Sequence, residues 1–154
     1  MGLLLMASTV AAVGFAQRGW NTLADPDEGY TFNYPQEFRL SPAKALTFRE
    51  LKQRAGAVIT LESLEPDRAP TAGNFGVAKA DIESSSAVKE LEREPLWIIL
   101  RYTTPKDVVH RKLLIGTQKV FVLTIRYPKL DDEKKATAND QTAVRIAKTL
   151  RRIG

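Results

Sequence analysis

The stretch Leu96–Tyr127, LWIILRYTTPKDVVHRKLLIGTQKVFVLTIRY, decides the fold. Its first run, Leu96-Trp97-Ile98-Ile99-Leu100, is apolar at every position. Successive strand residues point to opposite faces, so both faces of this run must be covered, as in the middle of a sheet. Thr104-Pro105-Lys106-Asp107 then carries turn chemistry, because Pro presets its own φ and has no N–H to give a ladder. Val108 to Ile115 reads as a second strand, and Gly116-Thr117-Gln118 as a short connection with Gly free to take positive φ. Lys119 to Tyr127 follows as a third strand, closed by Pro128. Here Phe121, Leu123, Ile125 and Tyr127 fall on one face and Val120, Val122, Thr124 and Arg126 on the other. Connections this short join antiparallel neighbours, which predicts a three-stranded meander and leaves its register open.

Outward from the meander, Ala57 to Leu64 is β-branched and alternating, a strand with Ile59 and Leu61 inward. Ala45 to Arg54 is read as the strand before it, with Leu46 and Phe48 on one face, although Glu50 to Arg54 also suits a helix. Glu65 to Gly76 holds Pro66, Pro70, Gly73 and Gly76 and is expected to be a long loop, the first place to seek a ligand rim. Val77 to Ile82 admits a strand, whereas Ala78 to Glu92 has helix-forming composition. The reading taken is a helix from about Ile82 to Arg93, stopped by Pro95. Near the C-terminus, Asn139 is expected to cap a helix in which Ala143, Ile146, Ala147, Leu150 and Ile153 recur at spacings of three and four, facing the sheet.

Before these elements, Trp20 to Glu28 is polar and ends in Asp25-Pro26-Asp27-Glu28-Gly29. Three carboxylates near a Gly suggest calcium, but the spacing lacks the remaining ligands of a calcium loop and a turn explains the same residues. Gly29-Tyr30-Thr31-Phe32-Asn33-Tyr34-Pro35, followed by Phe38, alternates aromatics and closes with Pro, a strand pattern with Leu40 extending it. This segment resembles the opening strand of the PsbP-like superfamily. The order that follows from Leu96 onward is similar too, since those domains have a late strand rich in aromatics, further hairpin strands and a C-terminal helix. The resemblance spans about Gly29 to Ile153. It implies an α+β fold, an antiparallel β-sheet flanked by helices as an α/β/α sandwich. It also implies a non-enzymatic habit, since the superfamily includes extrinsic photosystem proteins, a nuclear-import cofactor and exported bacterial proteins of unknown role. It carries over no binding residue.

The 154 residues suit one domain with a core that needs no staples. Without cysteine, disulfides, thiol chemistry, thiolate metal sites and cysteine-linked lipid are excluded. The formal charge of +5 suits an anionic partner, yet the basic residues are scattered. Their nearest approach to a cluster, Arg145, Lys148, Arg151 and Arg152, reads as a solvated helix face, and Asp131-Asp132-Glu133 is followed at once by Lys134-Lys135. Residues Met1 to Gln17 carry no charged side chain, and Gly14 and Ala16 suit cleavage before Gln17. Residues 1–16 are therefore expected to be a signal peptide or an N-terminal hydrophobic anchor, and 17–154 a single α+β domain.

No motif names a reaction or a cofactor. His110, beside Arg111 and Lys112, is the only histidine. It offers a general base, but no Gly-x-Ser-x-Gly setting accompanies it, one histidine cannot build a histidine-rich metal site, and it reads as an ordinary strand histidine at a sheet surface. Ser84-Ser85-Ser86 has no base nearby, and Gly73 and Gly76 stand too far from any Lys-Ser/Thr pair for a phosphate loop. Arg101, Tyr102, Arg126 and Tyr127 together would make a platform for single-stranded nucleic acid, although strands carry such residues as amphipathic cover as well. The expectation is a non-catalytic binding or assembly module, exported to the periplasm or beyond. Its partner would be an envelope protein or a small ligand, with peripheral membrane association open. The alternatives are a hydrolase-like enzyme using His110 and a basic cytosolic nucleic-acid binder.

Overall fold

A computed structural model describes residues 19–69 and 88–153. The segments read as a targeting sequence, as most of the Glu65-to-Gly76 loop, as Ser84-Ser85-Ser86 and as the first half of the Ile82-to-Arg93 helix lie outside the described residues. Among the described residues the order is β1 (Trp20–Asp25), β2 (Tyr30–Pro35), β3 (Phe38–Leu40), β4 (Phe48–Gln53), β5 (Val58–Leu64), β6 (Lys89–Glu94), β7 (Trp97–Thr103), β8 (Asp107–Ile115), β9 (Val120–Pro128), α1 (Glu133–Thr149) and β10 (Arg151–Arg152).

The expected meander forms three adjacent strands of a seven-stranded antiparallel sheet ordered β3-β4-β5-β9-β8-β7-β6. Its register sets Trp97 opposite Leu114, Arg101 opposite His110, His110 opposite Ile125 and Leu114 opposite Phe121. Directly opposed residues share a face, so Trp97, Ile99 and Arg101 stand with His110, Lys112 and Leu114, and these with Phe121, Leu123 and Ile125. Ile59 and Leu61 join them from β5, opposite Ile125 and Leu123. Leu123, Ile125, Ile59 and Leu61 are completely buried, each contributing about 1.5–3 kcal/mol of transfer free energy.

Two elements cover this face. One is α1, whose Ala143, Ile146 and Ala147 are buried. The other is a second antiparallel sheet, β1-β2-β10, whose β2 aromatics enter the same core cluster. The Tyr30 ring lies 5.4 Å from that of Phe121, and Phe38 meets Tyr127 edge-on at 6.4 Å. The opposite face carries a second set of buried side chains, with Ile98, Leu113 and Val122 in one cluster and Leu100, Tyr102 and Val109 in another.

The α/β/α sandwich expectation is corrected: the described residues hold one helix and two antiparallel sheets, and the molecule is richer in strand than a sheet between helices. Lys89 to Arg93 belongs to β6, a strand rather than the end of a helix. Pairing with β7, with a bulge between Glu90 and Glu92, outweighs its helix-forming composition. On β4 the inward residue is Leu51, while Leu46, before the strand, is 70% exposed and Phe48 38%. The helix begins at Glu133, not after Asn139, because Asp132 caps it, its carboxylate accepting from the Lys134 and Lys135 amides. It ends at Thr149, where Leu150 turns extended, so Ile153 lies beyond it and is exposed.

Two glycines do different work. Gly29, at φ +96°, closes the Asp25-to-Gly29 turn, its amide donating to Asp25 O at 2.7 Å. Gly116 has no positive φ and is needed for space instead. A Cβ there would meet the Phe121 ring at 2.7 Å and Lys119 O at 2.8 Å.

Candidate functional site

Two features concentrate polar or open chemistry: the β8 side chains beneath α1, and the end of the large sheet around the β6–β7 turn. Alternation along β8 points His110 and Lys112 the same way, into the face that α1 covers. His110 is 1% exposed, not at a sheet surface as expected. Neither ring nitrogen has a hydrogen-bond partner, and Nε2 stands 3.7 Å from Asp140 Oδ1. Burial pushes its pKa down to about 4, with Arg101 adding to the effect and Asp140 opposing it. At neutral pH it is an uncharged imidazole, so its approach to Asp140 is not an ion pair. Asp140 is instead taken by Arg101, Nε to Oδ1 at 3.3 Å and Nη2 to Oδ2 at 3.4 Å. A general base needs reach to a substrate proton and a pKa near the working pH, and His110 has neither.

Lys112 is 2% exposed. Its ammonium donates to Leu150 O at 2.8 Å and sits 4.5 Å from the centre of the Trp97 ring. Burial lowers its pKa to about 8 against the pull of Glu92. A cation at the carbonyl end of α1 meets the negative end of the helix dipole, so Lys112 ties the helix terminus to the sheet.

At the β6–β7 turn, Glu94-Pro95-Leu96-Trp97 forms a ridge between two cavities. The one on the face opposite α1 has a volume of about 300 Å³ and is walled by Ile98, Leu113, Ile115 and Val120, with Pro66 and Ala69 at its rim. The described start of the Glu65-to-Gly76 loop, Pro66 and Ala69, thus stands at the edge of a cavity. Leu96 is 39% exposed here and Ile115 50%. The other cavity, about 490 Å³, lies toward α1, between the turn and Leu114, Leu150, Arg151 and Arg152. Sequence reasoning placed Leu96 and Trp97 in a strand but found neither cavity, because their walls come from positions remote in the chain.

The other expected sites separate. Arg101 and Tyr127 point to the α1 side, Tyr102 and Arg126 to the other, and Tyr102 and Tyr127 are buried, so no stacking platform forms. Arg126 pairs with Asp107 at 3.2 Å. In the acidic turn, Asp25 meets Arg49 at 3.5 Å and Glu28 meets Lys119 at 2.7 Å, so two of the three carboxylates already have cations. The basic C-terminal residues do not share one face: Arg145 lies over the Trp20 ring, Lys148 faces Glu92, and Arg151 and Arg152 belong to β10.

No protein-family model and no curated protein sequence matches the chain. Solved structures do. The cyanobacterial PsbP protein CyanoP of Synechocystis sp. PCC 6803 is similar over 88% of this chain and 94% of its own, at 10% identity and a TM-score of 0.59. A Bacteroides thetaiotaomicron protein is similar over 86% of this chain and 48% of its own, at 11% identity and a TM-score of 0.49. A Mog1 mutant is similar over 81% and 91%, at 12% identity and a TM-score of 0.49. The likeness to CyanoP is one of fold, and the fold is PsbP-like.

Proposed function

We propose that this chain is a non-catalytic binding or assembly module, a single domain exported into the cell envelope, which docks a protein partner on the apolar end of its large sheet. The observation that carries the reading is the cavity of about 300 Å³ walled by Ile98, Leu113, Ile115 and Val120. Leu96 and Ile115 stand half-exposed at its lip. Apolar side chains held open by a rigid sheet are what a partner's anchor residues seat into. The enzyme alternative loses its base, since His110 is sealed and uncharged. The nucleic-acid alternative loses its platform, since the four residues that would build it face two ways. Export is supported by the uncharged run from Met1 to Gln17.

Photo-crosslinking in the native host tests the docking. A benzophenone amino acid at Ile115 should give a discrete adduct with an envelope protein. The same group at Leu40, exposed on the opposite edge of the sheet, should give none. Equal crosslinking from both positions, or none from Ile115, removes the docking surface. Mass spectrometry of the protein's N-terminus from fractionated cells tests export: a soluble envelope form beginning at Gln17 is expected, and an intact Met1 in the cytosol refutes it.

A further inference from the structure

We propose that the cavity on the α1 side of the β6–β7 turn binds a free aliphatic monocarboxylate, its chain laid on Trp97 and Leu150 and its carboxylate on Arg151 and Arg152. The inference does not depend on a protein occupying the cavity across the ridge. Its volume of about 490 Å³ falls within the ~300–1,000 Å³ of small-molecule sites.

The floor is apolar, formed by Pro95, Leu96, Trp97, Leu114 and Leu150. The rim is cationic. Arg151 and Arg152 are exposed and neither pairs with a carboxylate among the described residues, while the one carboxylate lining the cavity is Glu94. Beneath the floor lies Lys112, whose bond to Leu150 O occupies a carbonyl at the end of α1, the helix end that would otherwise repel an anion. Glu92, the carboxylate that acts on Lys112, lies 3.6 Å from the Lys148 ammonium. The cavity is therefore lined by two arginines that pair with no carboxylate among the described residues, beside an apolar floor.

A neutral apolar ligand would leave those guanidinium groups unused, and a small inorganic anion would leave the floor in water. An anion with an aliphatic tail satisfies both, because a planar carboxylate accepts the guanidinium fork while the tail covers Trp97. A peptide C-terminus fits less well. Its backbone N–H and C=O groups would be desolvated against side chains that offer almost no partners.

Isothermal titration of the full chain with octanoate, 1-octanol and the tripeptide acetyl-Gly-Gly-Leu tests this, with tryptophan emission as the local readout. Octanoate should bind saturably and perturb tryptophan emission, and octanol should bind about tenfold more weakly, as loss of one charge-assisted contact predicts. Arg151→Ala with Arg152→Ala should weaken octanoate about tenfold and leave octanol unchanged. Should that double variant fail to fold, Glu94→Gln is the alternative: removing the repelling carboxylate should tighten octanoate about threefold. No saturable binding, equal affinity for octanol, or indifference to these substitutions overturns the proposal. Tighter binding of the tripeptide also overturns it, assigning the cavity to a protein terminus.

Discussion

His110 and Lys112, two positions apart on β8, give opposite ends of the pH scale to one buried face. The folded protein holds His110 near pKa 4 whereas the unfolded chain titrates near 6.5. Below pH 6.5 the unfolded state therefore takes up a proton that the folded state refuses. Stability is full above 6.5 and falls as pH drops through 4, by roughly 3 kcal/mol in all. Because neither ring nitrogen is hydrogen-bonded, His110→Leu should fold, melt at or above the wild-type temperature at pH 7, and lose less stability on acidification. Equal acid sensitivity in the two proteins, measured by urea unfolding at pH 7 and pH 4.5, would refute the assignment. Lys112 has the same sign in another window, since its folded pKa near 8 lies below the ordinary lysine value of 10.5. Stability should rise between pH 8 and 10 as the folded state sheds the buried charge while the unfolded chain keeps it, and Lys112→Met should flatten that rise. The window closes at pH 10, because Tyr30 and Tyr127, raised by burial to about 12, lose protons first in the unfolded chain and reverse the slope.

Among the elements, α1 shows where sequence patterns stop informing. Its first two turns, from Glu133, are largely exposed, so no apolar period marks them, and reading periodicity placed the start near Asn139. The signal present there was chemical: Asp132 before Lys134 and Lys135, a side chain able to cap free amides. Asp132→Ala should cost about 1 kcal/mol in chemical denaturation with little change in the native spectrum. The meander was legible because each of its strands contains an apolar run and each turn has a Pro or Gly, and β2 because its aromatics alternate. By contrast β1 and β10 were invisible, one half polar without a regular alternation and the other two residues long, and both exist because β2 offers two edges to pair. Lys89 to Arg93 read as the end of a helix since its charged residues favour one; with Glu94 it is an edge strand, where charges keep foreign strands from adding. Glu90→Val with Arg93→Val, which removes an exposed ion pair from that edge, should shift the protein toward larger species in size-exclusion chromatography as concentration rises. Likewise His110 was named from the sequence but its setting was not, for Asp140 reaches it from another element. The cavity toward α1 joins Pro95 to Arg151, two segments that no local pattern connects.

At the scale of the whole molecule, the pairings that close the core are distant in sequence. β5 pairs with β9 from Val58↔Arg126 to Leu64↔Val120, and β2 with β10 through Arg151↔Thr31. Loops this long must close before their contacts form, so stopped-flow refolding followed by tryptophan emission should take about milliseconds to seconds, and microsecond folding would contradict this topology. The Asn33 amide adds a further long link, donating to Thr149 Oγ1 at 2.8 Å across 116 positions of chain. A ribosome delivers β2 early and α1 with β10 late. Until they arrive, the hairpin of β1 and β2 has one edge unpaired, and Tyr30, Phe32 and Tyr34 lack the part of their cover that α1 and β10 supply. The nascent chain thus spends most of its synthesis displaying a sticky aromatic ribbon. A chain that lacks its last two elements therefore leaves that ribbon incompletely covered and prone to associate.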